Sequence, residues 1–278
     1  MDNLSKIYQT KHELWIKVLF CSFAIKEAKI SRTLYEFSQI EFRHMKWISN
    51  ALAELEEDYN YNKGAINLER KTSFEIFEYL IGQIKASIKE YNPNHSLMAR
   101  ILSDEYYMIG VLESFLNDKS NNFEITAFNK SRNYDGKNLD CQSRDALTLF
   151  LFEESYKEYE LILLYSYFQN NTSNILHYNI YQDMIDESQY HLKSFGEMLA
   201  KMGILAIPRT VIPELYKDKD IKEFLIGGID EEINAKEECR ALADAIDDEE
   251  ISKFLEFIMY QEDYHIHLMK KAIEHFEE

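Results

Sequence analysis

Apolar residues recur at steps of three and four along almost the whole chain, and the interruptions are few. Between residues 31 and 58 the stripe runs Leu34, Phe37, Phe42, Met45, Ile48, Leu52, the spacing of one face of an amphipathic helix. The same rhythm predicts helices over about 8–28, 31–58, 72–91 and 95–118, then over 143–169, 175–202, 219–246 and from Glu249 to the C-terminus. The stops are local. The polar stretch Glu56 to Gly64 closes the second helix, and Tyr91-Asn92-Pro93-Asn94 closes the third, because the residue before a proline is pushed out of the helical region. NNTSN at 170–174 separates the fifth and sixth helices, and Gly203, Pro208 and Pro213 lead to the seventh. Asp247 and Asp248 stand where the last helix needs an N-cap, with Glu249 and Glu250 at its positive end. Residues 119–142, carrying NKSRN and DGKN, read as a solvated linker. Each half is then two helices, a longer connection and two more. The expected fold is all-α, two four-helix bundles in tandem over 1–118 and 143–278, a pattern consistent with duplication.

Composition supports this and narrows the partners. With 8 Gly and 3 Pro in 278 residues, the chain lacks the corner residues a β-architecture needs. The 31 Lys plus Arg against 49 Asp plus Glu give a net charge of −18. That balance argues against nucleic acid or an anionic membrane as principal partner and favours metal cations. The apolar run Val18 to Ile25 is far short of the ~20 residues of a membrane span, and no secretory cleavage pattern accompanies it. Cys21, Cys141 and Cys239 are odd in number, far apart and in no CxxC pair. They read as ordinary thiols in a reducing cytoplasm.

The candidate chemistry is carboxylate and imidazole. Glu41-Phe-Arg-His44 and Glu262-Asp-Tyr-His265 are both Glu-x-x-His within apolar flanks, and positions i and i+3 share a helix face. A carboxylate in such a core is costly unless paired or metal-bound. Spacing adds to this. Glu158 precedes Glu187 by 29 residues, Glu232 precedes Glu262 by 30, Glu13 precedes Glu41 by 28, and Glu75 precedes Glu105 by 30. Helix hairpins of that length place their acids at matching depth, so four helices in each half are expected to converge them on one layer.

The pattern resembles the ferritin-like superfamily of di-metal carboxylate proteins, in which two helices give a Glu each and two give Glu-x-x-His each. The run IDDEEISKFLEFIMYQEDYHIHLMKKAI looks like the last helix of rubrerythrin and bacterioferritin relatives, and IYQDMIDESQYHLKSFGEML is similar to their second. Carried over to this chain, the resemblance implies metal ligands Glu158, Glu187, His191, Glu232, Glu262 and His265 in the second half. In the first half it implies Glu13, Glu41, His44 and Glu105, with Glu75 as a weaker member. Glu187 and Glu262 would bridge, Glu158 and Glu232 would be terminal, and Tyr190, Tyr264 or Asp263 would orient the imidazoles. Two positions depart from the family. His191 follows Glu187 by four residues, with Ser188 in the family's Glu position, which a π-bulge would absorb. Met108 replaces the histidine expected after Glu105, and a thioether is a poor ligand for hard iron or manganese. The first site should therefore be incomplete, and removing its stranded Glu41 should stabilise the protein.

The resemblance implies di-iron or di-manganese, or a mixed pair, with no nucleotide and no heme. It implies an oxidoreductase or oxygenase whose partners are dioxygen or peroxide, with a small-molecule substrate and an external electron donor for an oxygenase. Neither nucleic acid nor membrane is expected, and a homodimer is compatible. Iron binding or storage, a metal-free helical scaffold and a heme-oxygenase-like bundle stand beside this reading. So does a composite site using Glu41 and Glu262 together.

Overall fold

A computed structural model describes residues 4–134, 136–217 and 219–276. Among the described residues the structure is all-helical, with no strand. It contains α1 (Leu4–Ala24), α2 (Ala28–Glu54), α3 (Ser73–Ile88), α4 (Ser96–Asn117), α5 (Cys141–Asn171), α6 (Ile175–Lys201), α7 (Ile221–Ala245) and α8 (Glu249–Glu274). The chain divides into two compact units, Met1–Lys130 and Ser131–Glu278. Among the described residues no helix is long and apolar enough to cross a membrane.

Most helix starts are written in the local sequence. Asp140, Asn174, Asp220 and Asp248 each accept hydrogen bonds from backbone N–H groups of the first turn of α5, α6, α7 and α8, satisfying donors a helix leaves open. Gly203, at φ 77°, ends α6, with Ile204 N–H donating to Leu199 O and Gly203 N–H to Ala200 O, the paired bonds of a left-handed helix stop. The first turn of the chain differs from its sequence expectation. α1 ends four residues before the expected 28, and the N-cap of α2 is Glu27. Lys26, Glu27 and Ala28 carry no breaker. Packing sets this turn, where Ser31 Oγ donates to Ser22 O at 2.9 Å.

In the first unit α1 packs on α2 and α3, while α4 packs on α3 and α2. Lys6 pairs with Glu90, and Lys17 with Gln83, so α1 and α3 run antiparallel. The short α1–α2 hairpin is antiparallel too, which makes α2 and α3 parallel. Residues 55–72 must therefore travel the length of the bundle. An extended segment of that size reaches ~60 Å, against ~40 Å for α2. It is held by the burial of Tyr59, Tyr61 and Leu68. The second unit repeats the plan: α5 packs on α6 and α7, and α8 on both α6 and α7. Tyr165 touches Phe224, and His177 reaches Ala272 O, so α5–α7 and α6–α8 are antiparallel and residues 202–220 form the crossing segment, anchored by Ala206, Val211 and Tyr216.

The polar segment 119–142 is mostly exposed but not free along its length. Ser73 N–H donates to Phe123 O, and Ile125 N–H to Lys71 O at 2.8 Å, fixing 123–125 to the start of α3 with Ile125 and Ala127 buried. Tyr134 packs in the second unit's core with Leu147, Leu151, Leu199 and Leu255.

Candidate metal centre and its lysine counterpart

In the second unit, α5 carries Glu158 between apolar layers, Leu147 and Leu151 on one side and Tyr165 and Phe168 on the other, all buried. His191 on α6, Glu232 on α7, and Glu262 and His265 on α8 meet it there, each less than 10% exposed. His191 Nδ1 lies 2.7 Å from Glu158 Oε1 and 3.7 Å from Glu262 Oε1. His265 Nδ1 lies 3.0 Å from Glu262 Oε2 and 3.4 Å from Glu232 Oε1. Glu262 thus stands between two imidazoles, each of which has a further carboxylate of its own. Ligand atoms of His191, Glu262 and His265 fall within 4.8 Å of one another.

Glu187 does not join them. It is half-buried, and its Oε2 accepts from Gln261 Nε2 at 2.9 Å, while Gln261 Oε1 lies 3.1 Å from His191 Nε2. α6 is α-helical throughout, with no π-bulge. The regular register turns Ser188, fully buried, toward the core in place of Glu187. The orienting groups also differ from expectation. Gln261 faces the outer nitrogen of His191, Asp263 pairs with Lys236, and Tyr190 and Tyr264 are both 43% exposed. Glu154, one turn before Glu158, is buried as well and pairs with Lys157 at 2.6 Å.

The first unit gathers Glu41, His44 and Glu105 within 4.8 Å, but a cation already sits among them. The ammonium of Lys11, fully buried, pairs with Glu41 Oε2 at 2.8 Å and with Glu105. Glu105 also accepts from Tyr91 OH at 2.6 Å and Ser87 Oγ at 2.9 Å, and His44 Nε2 lies 3.2 Å from Asp104. Glu13 lies apart, half-buried, accepting from Gly64 N–H and Lys17. Glu75 accepts from Lys71 N–H at the start of α3. From α3 it is Ser87, at the end of the helix, that reaches Glu105, while Glu75 lies at the helix start. Met108 is fully buried.

Lys11 had a sequence signal. It interrupts the apolar stripe of Ile7, Leu14, Trp15 and Val18 and precedes Glu41 by 30 residues, the spacing that Glu13 misses by two. It also matches Glu158 by position, since 158 − 11 and 191 − 44 are both 147. One unit thus places an ammonium where the other places a carboxylate.

The protonation pattern follows. Burial works against a charged Lys11, but Glu41 and Glu105 override it and hold the ammonium firmly protonated. Burial likewise works against Glu41, which Lys11 and His44 nonetheless keep below the usual carboxylate range. Burial pushes Glu105 up, since one ammonium serves two acids and they split. In the second unit Lys157 pairs with Glu154 rather than with Glu158, Glu232 or Glu262. Burial pushes Glu262 up to about 8, reinforced by Glu232. Burial opposes an imidazolium at His191, but Glu158 lifts it to about 9. His265 is raised too, by Glu232 and Glu262 against the same burial penalty.

Those shifts set a pH dependence for the protein stripped of cations. An imidazole raised from 6.5 to about 9 contributes stability that is full below 6.5 and lost as pH rises through 9. A carboxyl raised from 4.5 to about 8 holds its proton when folded after the unfolded chain has released it, so stability again falls across that window. Both act in the same direction. The melting temperature in chelator is expected to fall by several degrees between pH 5.5 and 9, read by circular dichroism. A flat or rising profile would contradict this assignment of protons.

No protein-family model, no curated protein and no solved structure matches the chain, so a functional reading rests on this geometry alone.

Proposed function

We propose that the second unit is a transition-metal-binding bundle of the di-metal carboxylate type, acting as an oxidoreductase or oxygenase toward dioxygen or peroxide. One observation carries it: Glu262 lies between His191 and His265, each paired with its own carboxylate, Glu158 or Glu232. These residues would hold one or two ions, with Glu262 within reach of both imidazoles. Glu158 Oε2 is buried without a hydrogen-bond partner among the described residues, which is expensive unless a cation uses it. Mixed imidazole and carboxylate donors suit iron, manganese or zinc, and bound iron or manganese supplies Lewis-acid and redox chemistry toward oxygen species.

The chain's own contribution is to hold the donors dry. Leu147, Leu151, Tyr165 and Phe168 pack above and below the layer. Gln261, at the outer nitrogen of His191, fixes that ring with Nδ1 toward Glu158 and Glu262, where it would serve a bound metal. Glu187, relayed through Gln261, supports that arrangement, and Ser188 leaves the set one carboxylate short of the four-glutamate pattern.

Elemental analysis of protein purified without chelator tests the reading. Iron or manganese is expected at one to two per chain and all of it in the second unit. Adding the metal back to stripped protein should raise the melting temperature by linkage, and more strongly at pH 8 than at pH 6, because binding must displace the protons held on His191, His265 and Glu262. Stripped and loaded protein with the same melting temperature at both pH values would refute it.

A further inference from the structure

Lys11 and Glu158 hold the same place in their hairpins. Three residues join α1 to α2, and three join α5 to α6. Lys11 stands as far before the end of α1 as Glu41 stands after the start of α2, since 24 − 11 and 41 − 28 are both 13. Glu158 and Ser188 repeat the count, since 171 − 158 and 188 − 175 are also 13. The two residues of each hairpin are therefore level, and Lys11 and Glu41 pair across theirs at 2.8 Å.

Around Lys11 the first unit has the donors of a metal site. Glu41, His44 and Glu105, all fully buried, bring one ligand atom each within 4.8 Å of one another. Two features beyond that grouping point to a metal cation. His44 turns Nδ1 toward Glu41 Oε2, at 3.4 Å, and has Asp104 behind its Nε2, at 3.2 Å. A carboxylate behind the outer nitrogen is the usual support of a metal-binding imidazole, and His191 is set the same way, with Glu158 at Nδ1 and Gln261 at Nε2. The second feature is Glu41 Oε1, buried with no hydrogen-bond partner among the described residues. The ammonium leaves that oxygen unused, although a buried carboxylate oxygen normally finds a partner. What stands in the way is Lys11 itself. A divalent ion here would either share a dry core with the ammonium or leave it buried and unpaired, and both are strongly unfavourable.

We propose that Lys11 determines the metal specificity of the first unit: Glu41, His44 and Glu105 form a site for one divalent transition-metal ion, and the Lys11 ammonium takes the place of that ion. The inference stands on the first unit alone. Only its extension to Glu158, as the residue that leaves the second unit open to metal, rests on the metal reading.

The test uses full-length wild-type, Lys11→Glu and Lys11→Gln chains, stripped with chelator and titrated with Zn2+, with stoichiometry read by calorimetry and stability by circular dichroism. Zinc accepts imidazole and carboxylate ligands and undergoes no redox change. Each variant is expected to take one ion per chain more than the wild type, and its melting temperature to rise by about 5 °C or more beyond the wild-type rise. Adding Glu41→Gln or His44→Ala to either should abolish the extra ion. Lys11→Gln buries one charge fewer than Lys11→Glu, so it decides the matter if the latter does not fold. Purification at pH 6, where protons neutralise the acids, keeps both in reach. Folded variants that take no more zinc than the wild type, or an extra ion that survives Glu41→Gln and His44→Ala, would overturn the proposal. A wild-type chain that takes no zinc beside a Lys11→Glu chain that takes one upholds it and removes the metal reading of the second unit. Zinc in the wild type with no extra ion in either variant refutes the proposal and leaves that reading standing.

Discussion

Lys11→Met should destabilise the first unit by about 3–5 kcal/mol, the usual consequence of removing one partner from a buried ion pair. Methionine matches the length of the lysine stem, so the loss isolates the charge. Glu41 and Glu105 would be left in a fully buried position with only Tyr91, Ser87 and His44 near them. The pH profile carries the sign. In the wild-type chain Glu41 lies below its ordinary value, so its contribution is present above the unfolded pKa and is lost as pH falls through the folded one. Without Lys11, burial dominates and raises both carboxyls, and stability should instead improve as the pH is lowered toward 5. Adding Glu41→Gln and Glu105→Gln to Lys11→Met should recover most of the loss. A Lys11→Met chain that melts with the wild type at pH 7 would show that the ammonium is not the unit's counter-charge. The same ion pair reverses the sequence expectation for Glu41. Removing it strands Lys11, so Glu41→Ala should lower stability rather than raise it.

The second large effect concerns metal. Glu262→Ala or His265→Ala should reduce affinity by on the order of 100-fold or more, beyond the 10–100-fold typical of groups that only orient a ligand. Glu262 is the one carboxylate among the described residues within 4 Å of both imidazoles, so any metal held by either histidine would lose a ligand with it. Glu187→Ala, acting through Gln261, should show the smaller loss. Glu41→Ala and His44→Ala should leave metal content unchanged, because Lys11 already supplies the cation in the first unit. Metal content and melting temperature of each variant separate the cases. Metal loss from the Glu41 variant equal to that from the Glu262 variant would place metal in the first unit and refute the asymmetry.

The two units fill the same kind of buried acidic layer in different ways. A tethered ammonium and a bound metal cation answer the same electrostatic demand, to neutralise acids in a dry core. Lys11 does so permanently and at no dependence on metal supply. The second unit, with Glu158 at the corresponding position, meets the same demand with protons, as the raised values of Glu262 and His191 express.

The sequence by itself determined the eight helices, the repeated two-plus-two order, and the burial of Glu41, Glu105, Glu158, Glu232 and Glu262, because apolar periodicity and capping residues are local signals. It did not determine which residue of a neighbouring pair faces the core. Successive residues on a helix differ by about 100°, so Glu187 and Ser188 point in different directions, and Glu13 and Lys11, two apart, are on nearly opposite faces. Equal spacing along the chain equals equal depth only when the two helices of a hairpin start level, and in α3–α4 the side chain that reaches Glu105 is Ser87, at the end of α3, not Glu75 at its start. Only the packing of four helices around one layer decided those choices, since a side chain's role there depends on the charge that the opposite helix brings to meet it.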